Sequence, residues 1–241
     1  MTHSQIPDHA ATSWKSLCKL GGIAALILLA YSLVTMVILI AIGGQPQTAQ
    51  EGFTLLQNNR LVGLFRLDVL AILVMPLYYL LFLSLYTVLE KTNGAYATLA
   101  AVLAFAGVTL FLATPSAFSW LALSDKFAAA TTEAQRQPLL AAGEAILASD
   151  MWHGSGAMMG GILLQTGTLL LSVVMLRSPA FGKLLAYLGI VTHGLDLAHL
   201  LTGLVFPTGG VILMAIAGPL YLVWFPLLAR DFFRLGKTQP K

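Results

Sequence analysis

The chain has 241 residues, of which 58% are apolar and only 10% charged, with a mean hydropathy of +0.83. Soluble domains are about half apolar and about a quarter charged, so this composition excludes both a soluble enzyme and a disordered chain. The formal net charge of +3 implies no nucleic-acid partner, because the cationic residues fall in a membrane-topology pattern.

Residues 1–19 read as a polar N-terminal segment, the first fourteen without regular structure. Charge-poor runs able to cross about 30 Å of hydrocarbon follow at 20–42, 61–89, 95–123, 152–176, 183–206 and 210–229. They predict an all-α polytopic membrane protein with six transmembrane helices in a single domain over 20–230, then a basic tail over 231–241. The first run is longer than a signal-peptide core and lacks a small-residue cleavage site, so it is expected to be retained. Cys18 is the single cysteine and forms no internal disulfide.

The connections are a polar stretch from Gln45 to Asn59, a tight turn from Glu90 to Gly94, the segment 124–151, a short loop from Arg177 to Gly182, and a Pro-Thr-Gly-Gly turn from Pro207. In 124–151, Leu139, Leu140, Ile146 and Leu147 recur at helical spacing around Glu144. That pattern predicts a surface helix, either a connector or a lid. Pro76, Pro115, Pro219 and Pro226 lie within apolar runs, where each can bend its helix.

Lys15, Lys19, Lys91, Arg177, Lys183, Arg230, Arg234, Lys237 and Lys241 fall on the side of the N-terminus, against Arg60, Arg66, Lys126 and Arg136 on the other. Cytoplasmic loops carry the excess of Lys and Arg, so both termini are expected in the cytoplasm.

Ionisable groups inside spans are costly and mark functional candidates. Here they are Arg66 and Asp68 in the second span, His153 at the start of the fourth, and His193, Asp196 and His199 in the fifth. At about 100° per residue, Gly189, Thr192, His193, Asp196, His199 and Gly203 form one small and polar stripe that must face protein. On the fourth span, Gly156 and Gly160 form a GxxxG pair on the face of His153. If these two faces meet, His153 approaches Asp196 and His199. The same glycine face is alternatively a contact between copies of the chain.

Two accounts of the cluster stand at this point. In one, Arg66 pairs with Asp196 and the histidines bond neighbouring helices. In the other, Asp196 and His199 hold zinc or iron, with His153 or His193 completing the set, or two histidines hold haem.

The stretch Gly63-Leu-Phe-Arg-Leu, the run His153-x-x-Gly156-x-x-x-Gly160, the sequence Phe181-Gly-Lys-Leu-Leu-Ala-Tyr-Leu-Gly-Ile, and Gly194-Leu-Asp196 with the later Pro207 resemble a bacterial six-helix membrane family, domain of unknown function 4386. The likeness covers about residues 20 to 235. It implies an integral membrane protein in which Arg66, His153 and Asp196 belong to the shared pattern, whereas His193 and His199 do not. Members carry a further acid where this chain has Ile72.

The expected function is non-enzymatic: binding or sensing a small or lipid ligand in an outward-facing intramembrane pocket, or supporting a membrane complex. In that pocket Arg66 supplies positive charge, Asp196 orients His153 or pairs with Arg66, His199 adds a polar contact, and Asp68 faces an outer cleft. The alternatives are an intramembrane metal-dependent lipid hydrolase using His153, Asp196 and His199, and a small transporter or proton relay.

Overall fold

The computed structural model describes residues 9–114, 117–150 and 153–237, and these fold into helices with no strand among them. In chain order they are α1 (His9–Ile42), α2 (Ala49–Asn58), α3 (Arg60–Arg66), α4 (Val69–Val74), α5 (Leu77–Ala113), α6 (Ala117–Ala129), α7 (Glu133–Ser149), α8 (Ser155–Met175), α9 (Lys183–Gly203) and α10 (Pro207–Lys237). Five stretches of the described residues are long and apolar enough to cross a membrane: Trp14–Ile42, Val69–Ala129, Ser155–Met175, Lys183–Gly203 and Pro207–Lys237. The expected kink at Pro115 and the expected start of the fourth span at Trp152 lie outside the described residues.

The run 61–89 is not one helix. α3 stops at Arg66, Asp68 adopts a left-handed backbone (φ 51°, ψ 48°), and a second break at Met75 and Pro76 separates α4 from α5. Left-handed backbone at a residue other than glycine is uncommon. Apolar content conceals such breaks, because hydropathy records burial and not backbone direction.

α5 contains the expected turn as a single break, where Asn93 leaves helical geometry (φ −158°, ψ 91°). Its side-chain oxygen accepts from the Tyr96 N–H at 3.3 Å, the bond of an N-cap. The two termini also differ from expectation. α1 begins at His9 with Cys18 buried, and α10 runs through the expected tail to Lys237 with Asp231 and Phe232 buried.

The chain divides into two compact units. Unit 2 comprises residues 30–76 and 106–164. Its apolar core joins α2, α6 and α7 through Phe53, Trp120 and Phe127, with Phe53 set edge-on to Trp120 at 5.8 Å between ring centroids. Thr48 caps α2 by accepting from the Glu51 N–H, and Glu144 of α7 accepts from the Ala49 N–H at 2.7 Å. Thr132 and Gln135 form a reciprocal capping box that starts α7. The helix expected within 124–151 therefore exists, and it packs against a second helix, α2, in the stretch read as a polar loop. Within this unit α5 and α8 cross closely at Gly107 and Gly160, where an added Cβ on either would lie under 3.0 Å from the other helix's backbone.

Unit 1 comprises residues 1–29, 77–105 and 165–241. Gly21 of α1 lies against Ser84 of α5, whose hydroxyl donates to the Leu17 carbonyl at 2.8 Å. Gly167 of α8 lies against the backbone of Ala100 and Ala104, and Gly210 of α10 against Gly203 of α9. Small residues let helix backbones approach where apolar burial alone supplies little drive.

Asp231 anchors the loop before α9. Its carboxylate accepts from the Gly182 N–H at 3.3 Å and from Arg230, and Arg234 reaches the Ala180 carbonyl. Gly182 is the N-cap residue of α9 and has no side chain to cap with, so Asp231 stands in for one. Asp231→Ala is expected to free this loop. In detergent, trypsin cleavage after the exposed Arg177 should accelerate several-fold, and an unchanged rate would mean the loop is held by other contacts.

Candidate functional site

The polar stripe of α9 does face protein in unit 1: Thr192 and His193 are buried, and Gly189 lies against Ser172 of α8 and Trp224 of α10. At its centre four polar side chains from three helices meet. Gln165 of α8 donates through Nε2 to Asp196 Oδ2 at 2.6 Å. Tyr221 of α10 donates through its hydroxyl to the same oxygen at 2.7 Å. The amide oxygen of Gln165 faces His193 Nδ1 at 2.7 Å, and Tyr221 Oη lies 3.3 Å from that nitrogen.

This geometry orders the hydrogens. Because the Gln165 amide nitrogen points at a carboxylate, its oxygen is left as an acceptor, and His193 supplies the proton from Nδ1. Aromatic rings enclose the cluster: Trp224 stands edge-on to His193 at 4.7 Å between centroids, and Phe225 stacks on Tyr221 at 5.7 Å. Tyr78 of α5 and His199 of α9 are near enough to Asp196 to interact with it electrostatically. A carboxylate held by an amide and a phenol inside an aromatic shell can recognise a hydrogen-bond donor or an organic cation.

The six residues expected to converge are divided between the two units. Asp196 and His193 are in the cluster, and His199, one turn on, directs Nδ1 to the Gly210 carbonyl at 2.9 Å. The other three belong to unit 2. Arg66 clasps the α1–α2 loop, donating through Nε to the Gly44 carbonyl at 2.6 Å and pairing with Glu51 at 3.1 Å, beside Gly43 with its positive φ of 96°. The expected Arg66–Asp196 pair is thus replaced on both sides. Glu51 neutralises the guanidinium, and neutral donors satisfy the carboxylate, which removes the need for a buried counter-charge.

Asp68 accepts from the Tyr31 hydroxyl at 2.6 Å and lies within unit 2. His153 is 48% exposed and bonded through Nδ1 to Asp150 Oδ1 at 3.0 Å, three residues earlier. Its glycine face packs on the chain's own 107–114 segment, Gly156 on Thr114 and Gly160 on Gly107. The four bonded side chains of the cluster accordingly come from α8, α9 and α10, with Tyr78 of the second span beside Asp196.

Zinc or iron does not fit the expected ligand set. Among the described residues no group of three or more His, Cys, Asp or Glu side chains converges, and the rings of His153 and His199 are engaged elsewhere. His193 and His199 leave α9 about 120° apart and so do not face each other across a haem plane.

Comparison with protein-family models, with curated proteins and with solved structures finds no match. The functional reading therefore rests on this site.

Gln165, Tyr221 and Trp224 escape a search limited to charged residues and histidine. Gln165 does carry a signal: it is the one amide in the otherwise apolar run of α8. Unit 2 holds a separate groove of about 390 Å³ lined by Gln50, Gln57, Glu133 and Arg136, with the Arg136 guanidinium 5.7 Å from the Phe127 ring centroid.

Proposed function

We propose that the chain is a six-pass protein of a bacterial cytoplasmic membrane, with both termini cytoplasmic, that binds or senses a small or lipid ligand at the Asp196 cluster. The stretch Val69–Ala129 supports the sixth pass: its 61 residues would run about 92 Å as one helix, about three hydrocarbon thicknesses. The break at Asn93 divides it into two passes. The bias of Lys and Arg, nine against four, supports the orientation.

The observation that carries the binding reading is the half-buried Asp196 carboxylate, held through Oδ2 by Gln165 and Tyr221. A carboxylate retained inside an apolar bundle is costly, and its cost is offset where it recognises a ligand. Native mass spectrometry of protein released from its own membranes tests this. A small-molecule or lipid adduct is expected on the wild type and absent from Asp196→Asn. Identical spectra for the two, or no adduct on the wild type, would overturn the reading.

A second reading, a proton relay, is favoured by one observation: Tyr221 Oη bonds Asp196 and lies 3.3 Å from His193 Nδ1, linking the two titratable groups. A pH gradient across reconstituted vesicles should then dissipate faster with the wild type than with Tyr221→Phe. Equal rates would eliminate it.

A further inference from the structure

Three buried side-chain polar atoms in unit 1 have no hydrogen-bond partner among the described residues, Thr192 Oγ1, His193 Nε2 and Trp224 Nε1, and the rings of the last two are in contact. Buried polar groups are almost always paired, so two unpartnered nitrogens on touching rings mark a place where something else supplies the bonds. The two have opposite requirements. His193 donates from Nδ1 to Gln165, so its Nε2 is a bare lone pair that can only accept. The indole Nε1–H of Trp224 can only donate.

The two rings stand edge-on at 4.7 Å between centroids, so the two unpartnered nitrogens belong to neighbouring rings. One small group lying beside both rings, with hydrogen bonds of about 2.9 Å, is the simplest way to serve them. The group must accept from the indole and donate to the imidazole through one atom. A carbonyl cannot donate, an ammonium cannot accept, and a metal ion would leave the indole unsatisfied. A hydroxyl does both.

We propose that one hydroxyl group, of a water molecule or of a neutral lipid alcohol, binds between His193 Nε2 and Trp224 Nε1. It extends the bonded chain from Asp196 through Gln165 and His193 to α10. The proposal rests on the Asp196 cluster being the ligand site. The two fail separately, because loss of an adduct in Asp196→Asn reads ligand retention whereas the following experiment reads the ring nitrogens themselves.

The test is nuclear magnetic resonance of wild-type protein labelled with 15N at histidine and tryptophan, in nanodiscs of phosphatidylcholine, a lipid without a hydroxyl. His193 is expected as the Nδ1–H tautomer, with Nε2 unprotonated but shifted by an accepted hydrogen bond. The Trp224 indole proton should exchange magnetisation with water, which assigns the hydroxyl to water. If both signals emerge only after diacylglycerol is added, the hydroxyl is a lipid's. In Trp224→Phe, which keeps a ring and removes the donor, Nε2 should move toward its free position. A protonated Nε2, a through-bond coupling showing direct indole-to-imidazole contact, or neither signal in either lipid overturns the proposal.

Discussion

Replacing Gln165 with leucine is expected to destabilise the protein by about 2–3 kcal/mol, seen as a fall in thermal midpoint of the purified protein in detergent. Leucine has a similar volume, so the effect isolates polarity. Gln165 donates to Asp196 and accepts from His193, joining α8 to α9, and its oxygen lies 3.3 Å from Tyr221 Oη of α10. Interhelical hydrogen bonds in membrane proteins average about 0.6 kcal/mol, because groups that lose a partner usually find another. Here that escape is restricted. His193 is 3% exposed and its Nδ1–H is left with only the longer approach to Tyr221 Oη at 3.3 Å, so it falls under the larger penalty of about 1–3 kcal/mol for a poorly satisfied buried donor. Asp196 keeps Tyr221 and loses less. A midpoint within a degree of wild type would show that the amide is not engaged as described.

Gly107→Ala should cost more, about 3 kcal/mol or greater, and lower the midpoint by roughly 6–12 °C. A Cβ there would lie 2.5 Å from the Gly160 carbonyl oxygen and 2.5 Å from the Leu164 nitrogen. Both obstacles are backbone, so no rotamer change relieves them and α5 and α8 must separate within unit 2. Gly218→Ala is the matched control. It is also helical, nothing lies within 4 Å of its added Cβ, and alanine is the better helix former, so a small gain of about 0.5–1 kcal/mol is expected. Equal losses at both positions would point to a backbone cause unrelated to the crossing.

The sequence carried the helical class, the approximate positions of most long helices, and the phase of α9, because apolar run length and 3.6-residue periodicity both record burial directly. The α2 helix was legible too, in the Thr48-x-x-Glu51 capping pattern that precedes an apolar face, although its polar composition argues for a loop. The His153–Asp150 contact was similarly local, at a spacing of three residues. Other features had little sequence signal. In the run 61–89 the left-handed turn at Asp68 is signalled only by residue type, since Asp is among those that tolerate that backbone, and its partner Tyr31 lies 37 residues away, beyond any local pattern. The partners of Asp196 were missed for a chemical reason. A buried carboxylate demands donors, not specifically a cation, and a neutral amide and phenol meet that demand as well as Arg66 would. Asp231 was hidden by its basic neighbours, which made the end of α10 read as a solvated tail.

The account depends most on Gln165 and Asp196 being bonded across α8 and α9, and a double-mutant cycle measures that bond alone. Stability is compared among wild type, Gln165→Leu, Asp196→Leu and the double variant in the same detergent. The account predicts a coupling of about 1 kcal/mol or more, the double variant being less destabilised than the sum of the single ones. Additivity to within about 0.3 kcal/mol would contradict it.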